Sequence, residues 1–144
     1  MLGTLHQLGD GLRIGLRLTR PSDAPRVRAF LERLTPETRL RRFFVAMPEI
    51  DERQVQHFTF YNPRERVVLA ATAPLEGVEE IVGLADVALV DTGVAELGLD
   101  VQVSGAARAK LAEAAVDPAL FAVDRDEADV TIQFERIGRE QFQV

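Results

Sequence analysis

Val94-Ala95-Glu96-Leu97-Gly98-Leu99-Asp100-Val101, followed by Gln102-Val103-Ser104-Gly105-Ala106-Ala107, is the stretch on which the fold of this chain turns. The first eight residues read as a strand, and the run Arg108 to Val116 beyond them reads as a helix. A strand that turns through small residues into a helix leaves main-chain N–H groups pointing outward from the helix's positive end. That arrangement suits a pyrophosphate. Ser104 fits as the N-cap of the helix better than as a nucleophile, because no Ser-His-Asp order surrounds it and neither His is near it in sequence.

Upstream, Asp91-Thr92-Gly93 separates this strand from the run Glu80 to Val90, which is expected to form a hairpin with Arg66 to Ala73 through Pro74-Leu75-Glu76-Gly77-Val78. Arg66 to Ala73 is nearly all apolar, the pattern of a strand buried on both faces. Nearer the N-terminus, Leu12, Ile14, Leu16 and Leu18 alternate within Gly11 to Arg20 and predict the first strand. Three short helices are expected between. One follows Pro21-Ser22-Asp23, with Ser22 or Asp23 as its cap and Val27, Phe30, Leu31 and Leu34 at helical spacing. The second runs from Thr35-Pro36-Glu37-Thr38 through Leu40, Phe43 and Phe44, and the third from Asp51 to Phe60, with Val55 and Phe58 inward and Tyr61-Asn62-Pro63 closing it. Downstream, Asp117-Pro118 stops the helix that Ser104 opens. Ala119 to Val123 is then expected as a strand parallel to Val94–Val101, completing a right-handed crossover. After an acidic turn, Asp124 to Asp129, the residues Val130, Ile132 and Phe134 predict a last strand ending near Gly138.

Composition narrows the function. The 144 residues are 47% hydrophobic, enough for one ordinary domain, expected over 1–144. The absence of Cys excludes a disulfide framework, a thiolate nucleophile and a Cys-based metal site, and the two His, His6 and His57, are too few for a His-rich one, so no metal is expected. No run of 18 apolar residues and no leader-like N-terminus is present, so a cytoplasmic protein without a membrane partner is expected. The net charge of −6 divides unevenly: residues 1–66 carry 12 Arg against 8 acids, whereas 67–144 carry 5 bases against 15 acids. So acidic a second half argues against nucleic acid as a partner.

Together with several local phrases, this order of elements resembles the GNAT acyl-CoA-dependent N-acetyltransferases, and within them the bacterial protein-lysine-acetyltransferase-like branch. The residues that carry the resemblance are Leu16-Arg17-Leu18-Thr19-Arg20-Pro21-Ser22-Asp23, Phe30-Leu31-Glu32-Arg33-Leu34-Thr35-Pro36-Glu37-Thr38-Arg39, Arg42-Phe43-Phe44, Val67-Val68-Leu69-Ala70-Ala71, Ile81-Val82-Gly83-Leu84-Ala85 and Ala95-Glu96. The family's acyl-CoA signature is Gln or Arg, two residues, Gly, one residue, then Gly or Ala. Gln102, Gly105 and Ala107 stand at its positions. The resemblance implies an α/β GNAT fold: a mixed, mostly antiparallel sheet with flanking helices, its C-terminal part shortened here. It implies acetyl-CoA as co-substrate, held by Val101, Gln102, Val103, Ser104, Gly105, Ala106, Ala107 and Arg108, and direct transfer of the acetyl group to a primary amine. Two features depart from the family. The segment from Ala95-Glu96 to Gln102 is several residues shorter than usual, which trims the fourth strand or its bulge, and the only Tyr is Tyr61, whereas the family often carries a Tyr after the fifth strand to protonate the departing thiolate. The alternative is therefore a degenerate module for CoA sensing or protein association. A homodimer through the open sheet edge is expected under either reading.

Direct acetylation needs a base, a polarised carbonyl and a leaving-group acid. Glu96 is the expected catalytic base, because it lies on the strand beside the presumed thioester and matches an acid often found there; otherwise it is an outward-facing strand carboxylate. Asp86 and Asp100 fit equally as polar members of alternating strands. Arg108 and Lys110 could meet CoA phosphates or simply face solvent. Phe43-Phe44 and Phe58-Phe60 read as core, His57 as a packed or solvated helix residue, and Arg39, Arg41 and Arg42 as solvated rather than as an acidic-acceptor site.

Overall fold

The computed structural model describes residues 3–9, 11–34, 49–91, 93–101, 105–117, 120 and 133–136. Its elements are β1 (Thr4–Gln7), β2 (Arg13–Leu18), a 3-10 turn (Pro21–Asp23), α1 (Ala24–Arg33), α2 (Glu52–Thr59), β3 (Arg66–Leu75), β4 (Val78–Asp91), β5 (Val94–Val101), α3 (Gly105–Ala115) and β6 (Gln133–Arg136). The six strands form one sheet in chain order, β1 to β6. Each neighbouring pair is antiparallel except β5–β6, which is parallel. The helix expected between Thr35 and Phe44 falls outside the described residues.

The sheet has a core on each face. On one, Ile14, Leu16, Val67, Leu69, Val87 and Leu97 pack against Leu111 and Ala115 of α3; on the other, Val68, Ala70, Ile81 and Leu84 pack against Val27, Phe30 and Leu31 of α1 and Val55 and Phe58 of α2. Alternate residues of β3 supply the two faces, which is why that strand is apolar almost throughout. The alternation of β2 is also as expected, with Ile14 and Leu16 buried and Leu12 and Leu18 packed at the margin. The β3–β4 hairpin closes with a two-residue loop: Leu75 pairs with Val78, and Glu76 (φ 51°) and Gly77 (φ 82°) take the two left-handed positions such a loop requires.

A β-bulge in the same hairpin decides where β4 puts its polar residues. Ala71 pairs with Gly83 and Thr72 with Ile81, so Val82 is the extra residue. Because side chains alternate faces along a strand, one extra residue exchanges the faces of everything beyond it. Asp86 therefore pairs with Val68, on the α1/α2 face.

Four expectations change. β1 lacks the alternation of a buried strand: Leu5 is almost fully exposed, and nothing in the sequence pattern announces it. Asp23 does not cap α1 through its side chain, which is fully buried and turned back to Arg17 and to the N–H of Arg20. Phe60 is exposed, because α2 ends at Thr59 and Phe60 is its extended C-cap. Among the described residues the strand parallel to β5 is Gln133–Arg136, within the last strand expected around Phe134; of Ala119–Val123 only Leu120 is described, buried beyond the end of α3, with its N–H bonded to the Asp117 carbonyl at 3.1 Å.

Candidate functional site

The junction that opened the sequence reading is the end of β5 and the start of α3. β5 pairs with β4 from Val94 to Val101, and among the described residues β6 lies beside it only from Val94 to Leu97. α3 begins at Gly105, three residues earlier than the run Arg108 to Val116, so Gly105, Ala106, Ala107 and Arg108 form its first turn. The first N–H groups of an α-helix have no partner inside it. Ala107 is fully buried and packs inward, and Ala115 and Leu111 follow on the same helical face. Gln102, Val103 and Ser104 fall outside the described residues, as do Arg39, Arg41, Arg42, Phe43 and Phe44. Lys110 pairs with Glu113 at 3.7 Å and borders a groove of about 550 Å3 between α3 and β1.

Glu96 lies on the opposite face. Ala95, Leu97 and Leu99 point into the α3-side core, which turns Glu96 toward the α1/α2 side, where it is half-buried. Its cross-strand neighbours are Ala88 on β4 and Glu135 on β6, and Ala88 is in turn opposite Arg66 on β3. One row across the sheet thus reads Arg66, Ala88, Glu96, Glu135. With strands about 4.8 Å apart, roughly 10 Å separates the backbones of Arg66 and Glu96, with only a methyl group between them. Glu96 has no hydrogen bond or ion pair among the described residues.

Three side chains gather beside this row, and no sequence pattern grouped them. Arg66 Nη1 lies 3.1 Å from Asp86 Oδ1 and 2.6 Å from His57 Nε2, and that nitrogen is 3.2 Å from Asp86 Oδ2. The guanidinium of Arg66 also lies over the Tyr61 ring, 5.7 Å from its centroid. Arg66 and Asp86 are mostly buried, whereas half of the His57 side chain is exposed. The local sequence builds this arrangement. Asp51 caps α2 by accepting from the Arg53 N–H at 3.1 Å; Val55 and Phe58 anchor the helix, and His57 is left at its margin. At the other end, Thr19 Oγ1 donates to the Phe58 carbonyl at 2.5 Å and the Tyr61 hydroxyl donates to the Thr19 carbonyl at 2.9 Å, tying α2 to the end of β2. Asp86 is therefore more than a polar member of an alternating strand, and His57 is neither packed nor simply solvated.

The same face carries a second Arg–Asp pair. Asp23 accepts from both terminal nitrogens of Arg17 at 2.7 Å and from the Arg20 N–H at 2.9 Å. Burial by itself pushes this carboxyl up, but the Arg17 fork and the backbone donor outweigh it and hold the group below the usual carboxylate range. The bond to Asp23 pushes the Arg17 guanidinium further up than usual. No group of three or more His, Asp or Glu among the described residues is placed to hold a metal ion, and no described helix is long and apolar enough to cross a membrane.

No protein-family model and no curated protein matches the sequence. Among solved structures, the fold matches the GNAT domain of S. lividans PAT with a TM-score of 0.74 and 24% identity, over 93% of this chain and 77% of that one. It also matches the cAMP-binding acyltransferase from Mycobacterium smegmatis. A mutant form of that protein gives a TM-score of 0.54 at 17% identity, over 97% of this chain, which spans 40% of the larger protein; another structure of it gives 0.52 at 17% identity, over 94% and 37%. The chain has the GNAT fold, as the sequence resemblance led us to expect.

Proposed function

We propose that the protein is an acetyl-CoA-dependent N-acetyltransferase of the cytoplasm that acts on a primary amine by direct transfer. The observation that carries the reading is Glu96: in a GNAT fold it stands on the strand leading to the acyl-CoA signature, half-buried, unpaired among the described residues, and separated from Arg66 by a single alanine. In this reading main-chain groups from Val101 to Arg108 hold the CoA pyrophosphate. The Glu96 carboxylate takes a proton from the acceptor ammonium. The freed amine attacks the thioester carbonyl, the C–N bond forms as the C–S bond breaks, the nitrogen loses its second proton, and the thiolate leaves to be protonated. The acceptor class, the absence of nucleic acid and membrane from its partners, and pairing of two copies through the outer edge of β6 belong to the same proposal.

A module without turnover is the second reading, and two observations favour it. β5 pairs with β4 in unbroken register from Ala95 to Val101, and the irregularity between them falls at Leu89/Asp91, beside the turn, so no bulge breaks β5 where the family's thioester sits. In addition, the only Tyr is already committed to the Thr19 carbonyl. Calorimetry with acetyl-CoA and CoA, paired with thiol release over a panel of amines, separates the two readings. Binding with turnover supports the enzyme, binding alone the module, and no binding defeats both. Glu96→Gln is expected to lower turnover by about 10²- to 10⁴-fold with acetyl-CoA binding retained. Gly105→Glu, which adds bulk and negative charge to the first turn of α3, is expected to abolish CoA binding; unchanged affinity would remove the pyrophosphate assignment.

A further inference from the structure

In that reading Glu96 accounts for proton removal but not for how an acceptor is recognised, and the cluster of His57, Arg66 and Asp86 has one ring nitrogen without a hydrogen-bond partner among the described residues. A guanidinium nitrogen can only donate, so Arg66 Nη1, 2.6 Å from His57 Nε2, must meet a lone pair there. The opposite tautomer would set two N–H groups against each other at that distance. Arg66 thus fixes the imidazole proton on Nδ1. Asp86 Oδ2, although 3.2 Å from the same Nε2, is then a neighbour rather than its acceptor, and Asp86 is held through its other oxygen by Arg66. Apart from these contacts, His57 makes no hydrogen bond among the described residues, and its side chain is 51% exposed. A half-exposed N–H donor of fixed tautomer therefore stands at the margin of α2, against Arg66, which Ala88 separates from Glu96 in the row across the sheet.

We propose that His57 Nδ1–H is the acceptor-recognition donor of the site and that Arg66 is its positioning residue. The inference rests on the acyl-transfer reading of Glu96. An acceptor whose amine reaches Glu96 presents an oxygen of its own chain, carbonyl or carboxylate, to His57. That is the chemistry of amino acids and peptides, not of simple alkyl diamines. Arg66 and Asp86 neutralise one another, so this wall adds an oriented donor beside Glu96. Glu96 keeps the only uncompensated charge that faces the amine from the described part of the row between β3 and β5.

Two measurements test this. Nitrogen-15 chemical shifts of His57 in the free protein should show a protonated Nδ1 and an unprotonated Nε2, and in Arg66→Gln the ring should revert to Nε2–H, donating to Asp86. A protonated Nε2 in the unsubstituted protein overturns the proposal. In steady-state acetylation, Nα-acetyl-lysine methylamide is compared with cadaverine. His57→Gln, whose amide reaches the Nε2 position, should raise KM for the lysine derivative about tenfold, one hydrogen bond's worth, and leave KM for cadaverine and for acetyl-CoA unchanged. His57→Asn, whose amide reaches the Nδ1 position, should raise it by no more than about threefold, because a donor is restored where it is needed. Equal effects on both amines, or none on either, overturn the inference and leave the role of Glu96 standing. No turnover of either amine by the unsubstituted protein overturns the acyl-transfer reading, and this inference with it.

Discussion

Two Arg–Asp pairs lie on the α1/α2 face of the sheet, and they are built to different standards. Asp23 is fully buried, gripped by both arms of Arg17, and capped by a backbone N–H; Arg17 also donates to Glu79 at 3.0 Å. Asp86 receives one guanidinium nitrogen from Arg66, and that same nitrogen also serves a half-exposed histidine. The first pair closes the junction of β2, the 3-10 turn and α1. The second shares its donor with the half-exposed His57 and lies one alanine away from Glu96 along the row across the sheet. A carboxylate fully buried under a two-armed guanidinium and a backbone donor supports a fold, whereas a pair that shares its donor with a half-exposed side chain is available to a ligand.

The sharpest way to break this comparison is to remove each carboxylate. Asp23→Ala leaves the mostly buried Arg17 with only Glu79 and a long bond to the Leu18 carbonyl, and a loss of about 3–5 kcal/mol in unfolding free energy is expected, read from urea denaturation. Asp86→Ala is expected to cost less, about 1–3 kcal/mol, because Arg66 keeps the Tyr61 ring and the His57 nitrogen as neighbours. Equal losses at the two sites would show that the difference in partners has no energetic meaning.

Acid sharpens the same contrast. The carboxyl of Asp23 is held below its unfolded range, so its contribution is complete above about pH 4 and disappears as pH falls through the lower, folded value. Stability should therefore decline below about pH 4, and Asp23→Asn should flatten that decline. A decline of the same steepness in the variant would mean that other carboxylates cause it.

How much of this was legible in the chain depends on whether the signal was local. The strands β2, β3 and β4 follow from alternation or from a continuous apolar run, and α1 and α2 from the spacing of Val27, Phe30, Leu31, Val55 and Phe58, because burial of one face imposes those periods. The extra strand β1 was not legible, since its side chains are mostly exposed and its register comes from β2 alone. Nor was the cluster of His57, Arg66 and Asp86. Without the extra residue at Val82, the hairpin loop would set Asp86 opposite Val67 and send it to the α3 side, away from His57. The site thus depends on a bulge that leaves no mark in composition or periodicity. Charges inside otherwise apolar runs, as at Arg66 and Asp86, were the one available hint. The face on which β5 places Glu96 was legible, because parity along that strand needs no correction after Ala95.

The smallest effect concerns a third pair, which completes the gradation. Arg28 on α1 and Glu52 at the start of α2 form an ion pair, with Arg28 also donating to the Ile50 carbonyl at 3.2 Å. Both side chains are substantially exposed, 37% and 59%, so water competes for each charge and salt screens their attraction. A double-mutant cycle with Arg28→Ala and Glu52→Ala should give a coupling of about 0.2–1 kcal/mol that shrinks at 1 M salt. The backbone bond from Arg28 is separate from this coupling and appears only in the Arg28→Ala single variant. A coupling above about 2 kcal/mol would mean that α1 and α2 are clamped by charge; a small one leaves Phe30, Leu31, Val55 and Phe58 as what holds the two helices together and His57 in place.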